Sequence, residues 1–506
     1  MESKLFLCIH GHFYQPPREN PWTDEIELQL SASPFHDWNE RIYQECYRPN
    51  TEAIIIDDKG KVVKRINNYE FMDFNFGPTL FNWMKEKHPK NFLKIIEADK
   101  KSVIVHKGHG NAIAQVYNHL IMPLANMQDK ITQTKWGLKH FKYYFGRDSE
   151  GIWLSETACN KETLEILVNE GVKFIILDPS QALMIKKINS KGVWEDVSGS
   201  KINPKEPYRY FVDEKRKKHI DIFFYDGPFA RSIAFEDIVY SADRIIERME
   251  WVKIKNYDKD QLISIAVDGE TFGHHKHFTE RTIAYLLTEL APKNGYKTIN
   301  YGEYLAGHRP EYEVMINNGK NGEGTSWSCP HGVGRWKEDC GCNTGGQAGW
   351  NQKWREPLRN SLNILRDRLI LMFEGIGHIY LKNVWDARND YINIMLDNSK
   401  ENVSDFFERH SKKKLRKDEK EICFKLFEMQ KFSMYMFTSC GWFFSDISGI
   451  ETIQVLEYAK RAIEINEELT GDKAIEEEFL NELEKAISNK PEYGDGKKIY
   501  LRNIKK

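Results

Sequence analysis

Through about the first 290 residues, short apolar runs alternate with apolar positions at helical spacing. That alternation predicts an α/β fold in which parallel strands are covered by helices. Strands are expected at Lys4–His10, Val103–His106, Gly151–Leu154, Lys173–Leu177, His219–Tyr225 and Leu262–Val267. Helices are expected between them, around Lys130–Phe145 and around Asn160–Glu170, where Leu164, Leu167 and Val168 share a face. From Asn318 to Trp350 the periodicity disappears and Gly, Cys and Trp dominate, which reads as a long ordered loop. Beyond it Leu358, Leu362, Leu365 and Leu369 step along one helical face, and further helices are expected at Asp418–Met436 and Ile450–Glu468. The closing Lys/Glu-rich tail reads as solvated surface. No repeat of fixed period is visible.

Polar residues cluster where the strands end: His10-Gly11-His12, His106-Lys107-Gly108-His109, Glu156, Asp178, Asp226 and Asp268. In barrels and open α/β sheets the active site lies at the carboxyl ends of the strands, so this distribution predicts one shared cleft. For any one of them the alternative is a turn residue capping the next helix, and that reading is taken for Asp178. Glu156 follows an apolar strand and precedes a helix near Asn160. It is either a cleft carboxylate suited to nucleophilic attack or a helix-capping acid. Asp268-Gly269-Glu270 ends a β-branched strand and leads into His274, His275 and His277. It offers an acid/base partner for glycoside cleavage, or else a metal site built from Asp268 and the three histidines.

A chain of 506 residues exceeds one compact core and predicts two or three domains. Its formal charge of −2 comes from 73 basic and 75 acidic residues that are well interspersed, so no field for nucleic acid is expected. Aromatic residues make up 13% of the chain and 13 of them are Trp, flat apolar faces that stack on sugars as well as fill cores. No apolar stretch is long enough for a membrane span, and no export signal is visible at the N-terminus. The eight cysteines are therefore expected to be reduced thiols or metal ligands in a cytoplasmic protein.

Several blocks in order resemble glycoside hydrolase family 57. His10-Gly11-His12-Phe13-Tyr14-Gln15-Pro16-Pro17 is similar to the family's first block, and Asn118-His119-Leu120-Ile121-Met122-Pro123-Leu124 to its second. Trp153-Leu154-Ser155-Glu156 resembles the family's Trp-Leu-Pro-Glu, with Ser155 in place of proline. Asp268-Gly269-Glu270-Thr271-Phe272-Gly273 resembles its fourth block. The segment Phe224–Phe235 resembles the Arg-Asp segment that precedes that strand, with Tyr225 where arginine is usual, and Asn111 stands where many members carry glutamate. The helical remainder is similar to an uncharacterised C-terminal region of one branch of the family.

The resemblance implies an incomplete (β/α)7 barrel followed by a mainly α-helical domain. The expected divisions are 1–317 for the catalytic unit, 318–350 for a loop near the cleft and 351–506 for the helical domain. It implies a retaining glycoside hydrolase acting on α-glucan or a related α-linked carbohydrate, with no cofactor. Glu156 would be the nucleophile and Asp268 the general acid/base. Substrate contacts are expected from His10, His12, Gln15, His119, Trp153, Asp226, Arg231, Glu270, His274, Trp327 and Trp336. Transfer or branching on the same site, a metal-dependent deacetylase or α-mannosidase, and a glycan-binding protein without turnover are the alternatives.

Cys329, His331, Cys340 and Cys342 fall outside the family pattern. Their C-x-H and C-x-C spacings are tighter than the usual zinc C-x₂₋₄-C. The reading taken is a free-thiol loop, with structural zinc as the alternative.

Overall fold

The computed structural model describes residues 3–504. The chain divides into two compact units. The first takes the segment up to Gln15, Leu28–Gln115 and Phe141–Asn318, and the second takes Pro16–Glu27, Val116–His140 and the chain from Gly319 onward.

Seven strands carry the first unit: β1 (Leu5–Phe13), β2 (Asp73–Phe76), β3 (Ala114–Gln115), β4 (Ile152–Trp153), β5 (Phe174–Leu177), β6 (His219–Phe224) and β7 (Gln261–Asp268). β1 is buried from Phe6 to Phe13 and β7 from Gln261 to Val267, as strands covered on both faces must be. β1 lies parallel to β7 on one side and to β2 on the other, with His12 opposite Asp268. β2 meets the chain leading into β3 through a parallel bridge between Phe74 and Ala112, and β3 pairs with β4 in parallel. A parallel bridge from Gly151 to Phe174 links β4 to β5, and β5 pairs in parallel with β6. Just past β6, the Asp226 N–H donates to the Ser264 carbonyl of β7 at 2.8 Å. Antiparallel strands Tyr208–Phe211, Ala182–Lys187 and Glu195–Asp196, together with Tyr312–Ile316, extend the sheet outward from β6.

In the second unit, α1 (Arg355–Tyr380) packs on α2 (Lys417–Tyr435) and α4 (Ala474–Leu483), and α2 packs on α3 (Ile450–Thr470). The leucine ladder Leu358, Leu362, Leu365 and Leu369 is fully buried on α1. Among the described residues no helix is long and apolar enough to cross a membrane.

Two expectations are corrected. Val103–His106 is not a strand: Val103, Ile104 and Val105 form the last turn of a helix Pro89–Val105 whose buried residues include Phe92, Ile95, Ile96 and Asp99. The β-branched run carried a strand signal, but the upstream helical periodicity wins, and Ile104 and Val105 are left exposed. The Lys/Glu-rich tail is not merely solvated. It folds into α4 and α5 (Gly496–Asn503), which bury Ile475, Phe479, Leu483, Ile499 and Tyr500 while their charges face outward.

A buried ion pair ties the second unit's segments together. The Arg388 guanidinium donates to Asp129 Oδ1 at 2.8 Å, Gln430 Oε1 at 2.8 Å and Thr132 Oγ1 at 2.9 Å, with both charged side chains almost wholly enclosed. Removing one partner of such a pair strands the other charge in a low-dielectric interior. Arg388→Met should therefore destabilise the fold by roughly 3–5 kcal/mol, measured by denaturant unfolding followed by helical circular dichroism.

Candidate active site

β4 ends at Trp153, and the chain then turns through conformations that side-chain-bearing residues rarely adopt. Glu156 has φ +58° and ψ +23°, and Thr157 has φ +51°. Left-handed backbone costs roughly 1–2 kcal/mol per residue, so the turn persists only because its surroundings fix it. Gln181 does much of the fixing. Its Nε2 donates to the Thr157 carbonyl at 2.9 Å, and its Oε1 accepts from Thr157 Oγ1 at 2.8 Å and from the Asp178 N–H at 3.0 Å. Asp178 caps the short helix Pro179–Gln181, as its position in the sequence suggested.

Asp268 closes β7. Its side chain is reached by solvent, yet surrounding protein desolvates the carboxyl and the Glu156 charge adds to the effect, raising its pKa to about 7. Access combined with desolvation is what a carboxyl in a recess experiences. The interaction also places Glu156 and Asp268 within electrostatic reach of each other. Two residues on, buried Glu270 accepts from the Tyr14 N–H at 3.0 Å and the Tyr47 hydroxyl at 2.6 Å. Burial lifts its pKa to about 8, opposed by Tyr47 and reinforced by Asp268. Tyr225, at the position where arginine was expected, donates to Asp178 Oδ2 at 2.5 Å and is coupled electrostatically to Asp178, Asp268 and Arg231.

The strand-end histidines form a buried layer. The Trp153 indole stacks on His10 with centroids 4.7 Å apart and on His12 at 4.9 Å, while His12 also stacks on Tyr14. His10 Nδ1 pairs with Asp73, and its Nε2 lies 3.0 Å from Asn75 Oδ1. Gln15 donates to the Tyr14 carbonyl at 2.8 Å. His274 pairs with Glu45. Asp226 caps the helix Gly227–Phe235 through Phe229 N–H and is ion-paired with buried Lys205 at 3.1 Å, while Arg231 on that helix is exposed.

The remaining predicted residues lie in the second unit. His119 is buried with Nδ1 2.7 Å from Ser439 Oγ, and burial pushes its pKa down to about 3, so it is neutral at physiological pH. Trp336 is fully buried in the core and Trp327 is half-buried. Among the described residues, the His, Cys, Asp and Glu side chains that converge closely enough for one metal ion are Cys329, His331, Cys340 and Cys342, rather than Asp268 with its neighbouring histidines.

Sequence reasoning missed Gln181, Tyr47 and Lys205, and noted Tyr225 without giving it a role. Gln181 was findable, because Asp178-Pro-Ser-Gln181 has capping-box spacing. Tyr47, more than two hundred residues from Glu270, carries no local signal.

The sequence model of Glycosyl hydrolase family 57 matches residues 7–317, and that of a domain of unknown function, DUF3536, matches residues 350–506. An α-amylase of Pyrococcus horikoshii is 20% identical over 297 residues, covering 58% of this chain and 41% of that protein. A 4-α-glucanotransferase of Thermococcus litoralis is 19% identical over 296 residues, covering 58% of this chain and 39% of that protein. The chain thus spans about two fifths of the length of these curated relatives. An exo-type maltose-forming amylase from Pyrococcus sp. ST04 superposes with a TM-score of 0.69 at 14% identity, over 99% of this chain and 88% of that one, which shows a shared fold.

Because the Glu156 charge helps hold the Asp268 proton, Glu156→Gln should lower the Asp268 pKa below about 7 without returning it to the ordinary Asp range, since burial is the larger cause. Carboxyl chemical shifts of ¹³C-labelled protein followed through a pH titration measure this.

Proposed function

The chain belongs to glycosyl hydrolase family 57, and from that premise we propose that it is a retaining glycosidase that cleaves α-linked glucan by double displacement, with Glu156 as nucleophile and Asp268 as general acid/base. One observation carries the assignment of roles. A general acid must hold a proton near neutral pH, and desolvation together with the Glu156 charge raises the Asp268 pKa to about 7. The strained turn just past β4 supports the other half of the assignment, because left-handed backbone held by its surroundings, as at Glu156, clusters at functional sites. In this reading Glu156 attacks the anomeric carbon while Asp268 protonates the departing oxygen, and Asp268 then takes a proton from water as the glycosyl-enzyme is hydrolysed.

The architecture proposed with it is an incomplete (β/α)7 barrel. The succession of parallel contacts from β1 through β2, β3, β4 and β5 to β6, the single hydrogen bond from just past β6 to β7, and the parallel pairing of β7 with β1 support that reading. The matched ranges support a catalytic unit drawn from 1–317, out of which Pro16–Glu27 and Val116–His140 group with the second unit, and a helical domain over 351–506. A carbohydrate substrate in a reducing, cytoplasmic setting fits eight cysteines of which none is disulfide-bonded. The buried layer of His10, His12 and Trp153 is proposed to shape the site behind the reacting carbons, with Glu270, His274 and Arg231 at its margin.

Transfer to a second sugar is the alternative fate of the same intermediate, favoured by the glucanotransferase among the relatives. It shares the first half-reaction and differs only in whether water or a sugar hydroxyl accepts the glycosyl group. Incubation with maltooligosaccharides separates them: hydrolysis yields only shorter chains and new reducing ends, whereas transfer yields longer chains as well.

Replacing Asp268 with Asn should lower turnover on glucan by ~10²–10⁴-fold, with a smaller loss on an aryl α-glycoside whose leaving group needs no proton. Azide should then rescue breakdown of the intermediate and give the retained glycosyl azide, whereas rescue of Glu156→Ala should give the inverted one. Product stereochemistry by NMR reads both.

The pH profile follows from the same group. Asp268 loses its proton as pH rises through about 7, so kcat/KM of the wild type should fall above that pH. The basic limb should be absent for the aryl glycoside when glycosylation no longer depends on the acid.

A further inference from the structure

Three cysteines and a histidine of the segment 319–350 stand outside the proposed chemistry. The donor atoms of Cys329, His331, Cys340 and Cys342 all lie within 4.8 Å of one another. The Cys342 sulfur is 3.7 Å from that of Cys329 and 3.5 Å from His331 Nδ1, and the Cys329 and Cys340 sulfurs are 3.9 Å apart. None of the cysteines is disulfide-bonded. A tetrahedral ion with sulfur ligands at about 2.3 Å and an imidazole nitrogen at about 2.0–2.1 Å requires edges of about 3.8 Å between sulfurs and about 3.5 Å between sulfur and nitrogen. The observed separations are close to those edges.

The backbone serves the convergence. Gly341, at φ +82°, turns the chain between Cys340 and Cys342, a conformation that glycine adopts without strain. A turn closed by the Gly332 N–H on the Cys329 carbonyl at 3.1 Å carries His331. The N–H groups of Arg335 and Cys342 donate to the sulfurs of Cys329 and Cys340.

Charge gives a second, independent indication. Arg355 is fully buried and donates to the Cys342 carbonyl at 2.7 Å, and Arg335, also buried, lies 3.5 Å from the Asn343 carbonyl. Among the described residues neither guanidinium has a carboxylate within salt-bridge distance, although a buried cation without a counter-charge is costly. An ion bound by three thiolates and a neutral imidazole carries a net charge of −1 when the metal is divalent, which is the anion these arginines lack.

We propose that Cys329, His331, Cys340 and Cys342 bind one Zn²⁺ ion in tetrahedral S₃N coordination and that this ion holds the otherwise irregular 319–350 segment in place. Binding converts three thiols to thiolates and releases three protons to solvent. Three soft sulfurs with one imidazole in tetrahedral array select zinc among the common divalent ions. All four positions are filled by protein, so the ion is structural and offers no open site for a reacting water. The proposal does not depend on the glycosidase reading and stands or falls apart from it.

The test uses the full chain purified under reducing conditions without chelator. Elemental analysis should find one zinc per chain. A mercurial thiol reagent should release that zinc, and removing the reagent with excess thiol should restore uptake of added Zn²⁺. Co²⁺ in its place should show the visible bands of a tetrahedral ion and thiolate-to-cobalt charge transfer. Cys329→Ser and Cys340→Ser should weaken zinc binding by more than ~100-fold, beyond what outer-shell partners account for, while Cys423→Ser keeps it. Serine at a ligand position could also unfold the segment, so His331→Cys provides the second variant: it should retain the metal and show stronger charge transfer with cobalt. Wild-type protein that takes up neither Zn²⁺ nor Co²⁺, uptake undiminished in Cys340→Ser, or a different metal at full occupancy would each overturn the proposal.

Discussion

Two carboxyls within electrostatic reach of each other cannot both ionise freely once protein displaces water around them, and the proposed site depends on that constraint. Glu156 and Asp268 come from strands β4 and β7, more than a hundred residues apart in sequence. Desolvation by the surrounding protein raises the pKa of Asp268, and the charge on Glu156 raises it further. Glu270 extends the effect, because Asp268 helps to push its pKa to about 8. One acid is thereby kept protonated beside another carboxylate, the division of labour that glycoside cleavage by two carboxylates requires.

Holding such a pair needs rigid support, and the fold supplies it in different ways at the two ends. β7 is buried along its length and registered residue by residue against β1, so Asp268 is positioned by sheet geometry opposite His12. Glu156 sits instead on a strained turn whose shape is imposed by Gln181, itself fixed by the Asp178 cap. The Trp153 ring, packed against His10 and His12, joins the strand ends that flank these two supports. Proposed chemistry and proposed zinc site share a logic in this respect: irregular backbone is kept in place by a few directed contacts rather than by regular hydrogen-bond ladders.

The strands were legible where a buried apolar run ended in a polar residue, which is why β1, β4, β5, β6 and β7, and the positions of Glu156 and Asp268 after two of them, could be read from the sequence. β3 could not be, since Ala114–Gln115 is two residues long and has no period to detect. Val103–His106 showed the opposite failure, a strand-like run absorbed by a helix. Side-chain roles were less legible than positions. Asp226 looks like a strand-end acid and is one, but its oxygens are engaged by a helix N-terminus and by Lys205, which only the folded chain brings to it. Trp336 looked like a sugar platform and is core. The spacing of Cys329, His331, Cys340 and Cys342 argued against a metal, yet the turn at Gly341 brings their donor atoms together in space.

The central claim is that Glu156 forms the covalent bond to the sugar. Incubating the enzyme with an activated 5-fluoro α-glucosyl fluoride, which slows hydrolysis of the intermediate more than its formation, should add one glycosyl mass to the protein. Peptide mapping by mass spectrometry should place that mass on the fragment containing Glu156, and Glu156→Gln should abolish it. A label on another carboxylate, or steady turnover of glucan by Glu156→Gln, would contradict the account.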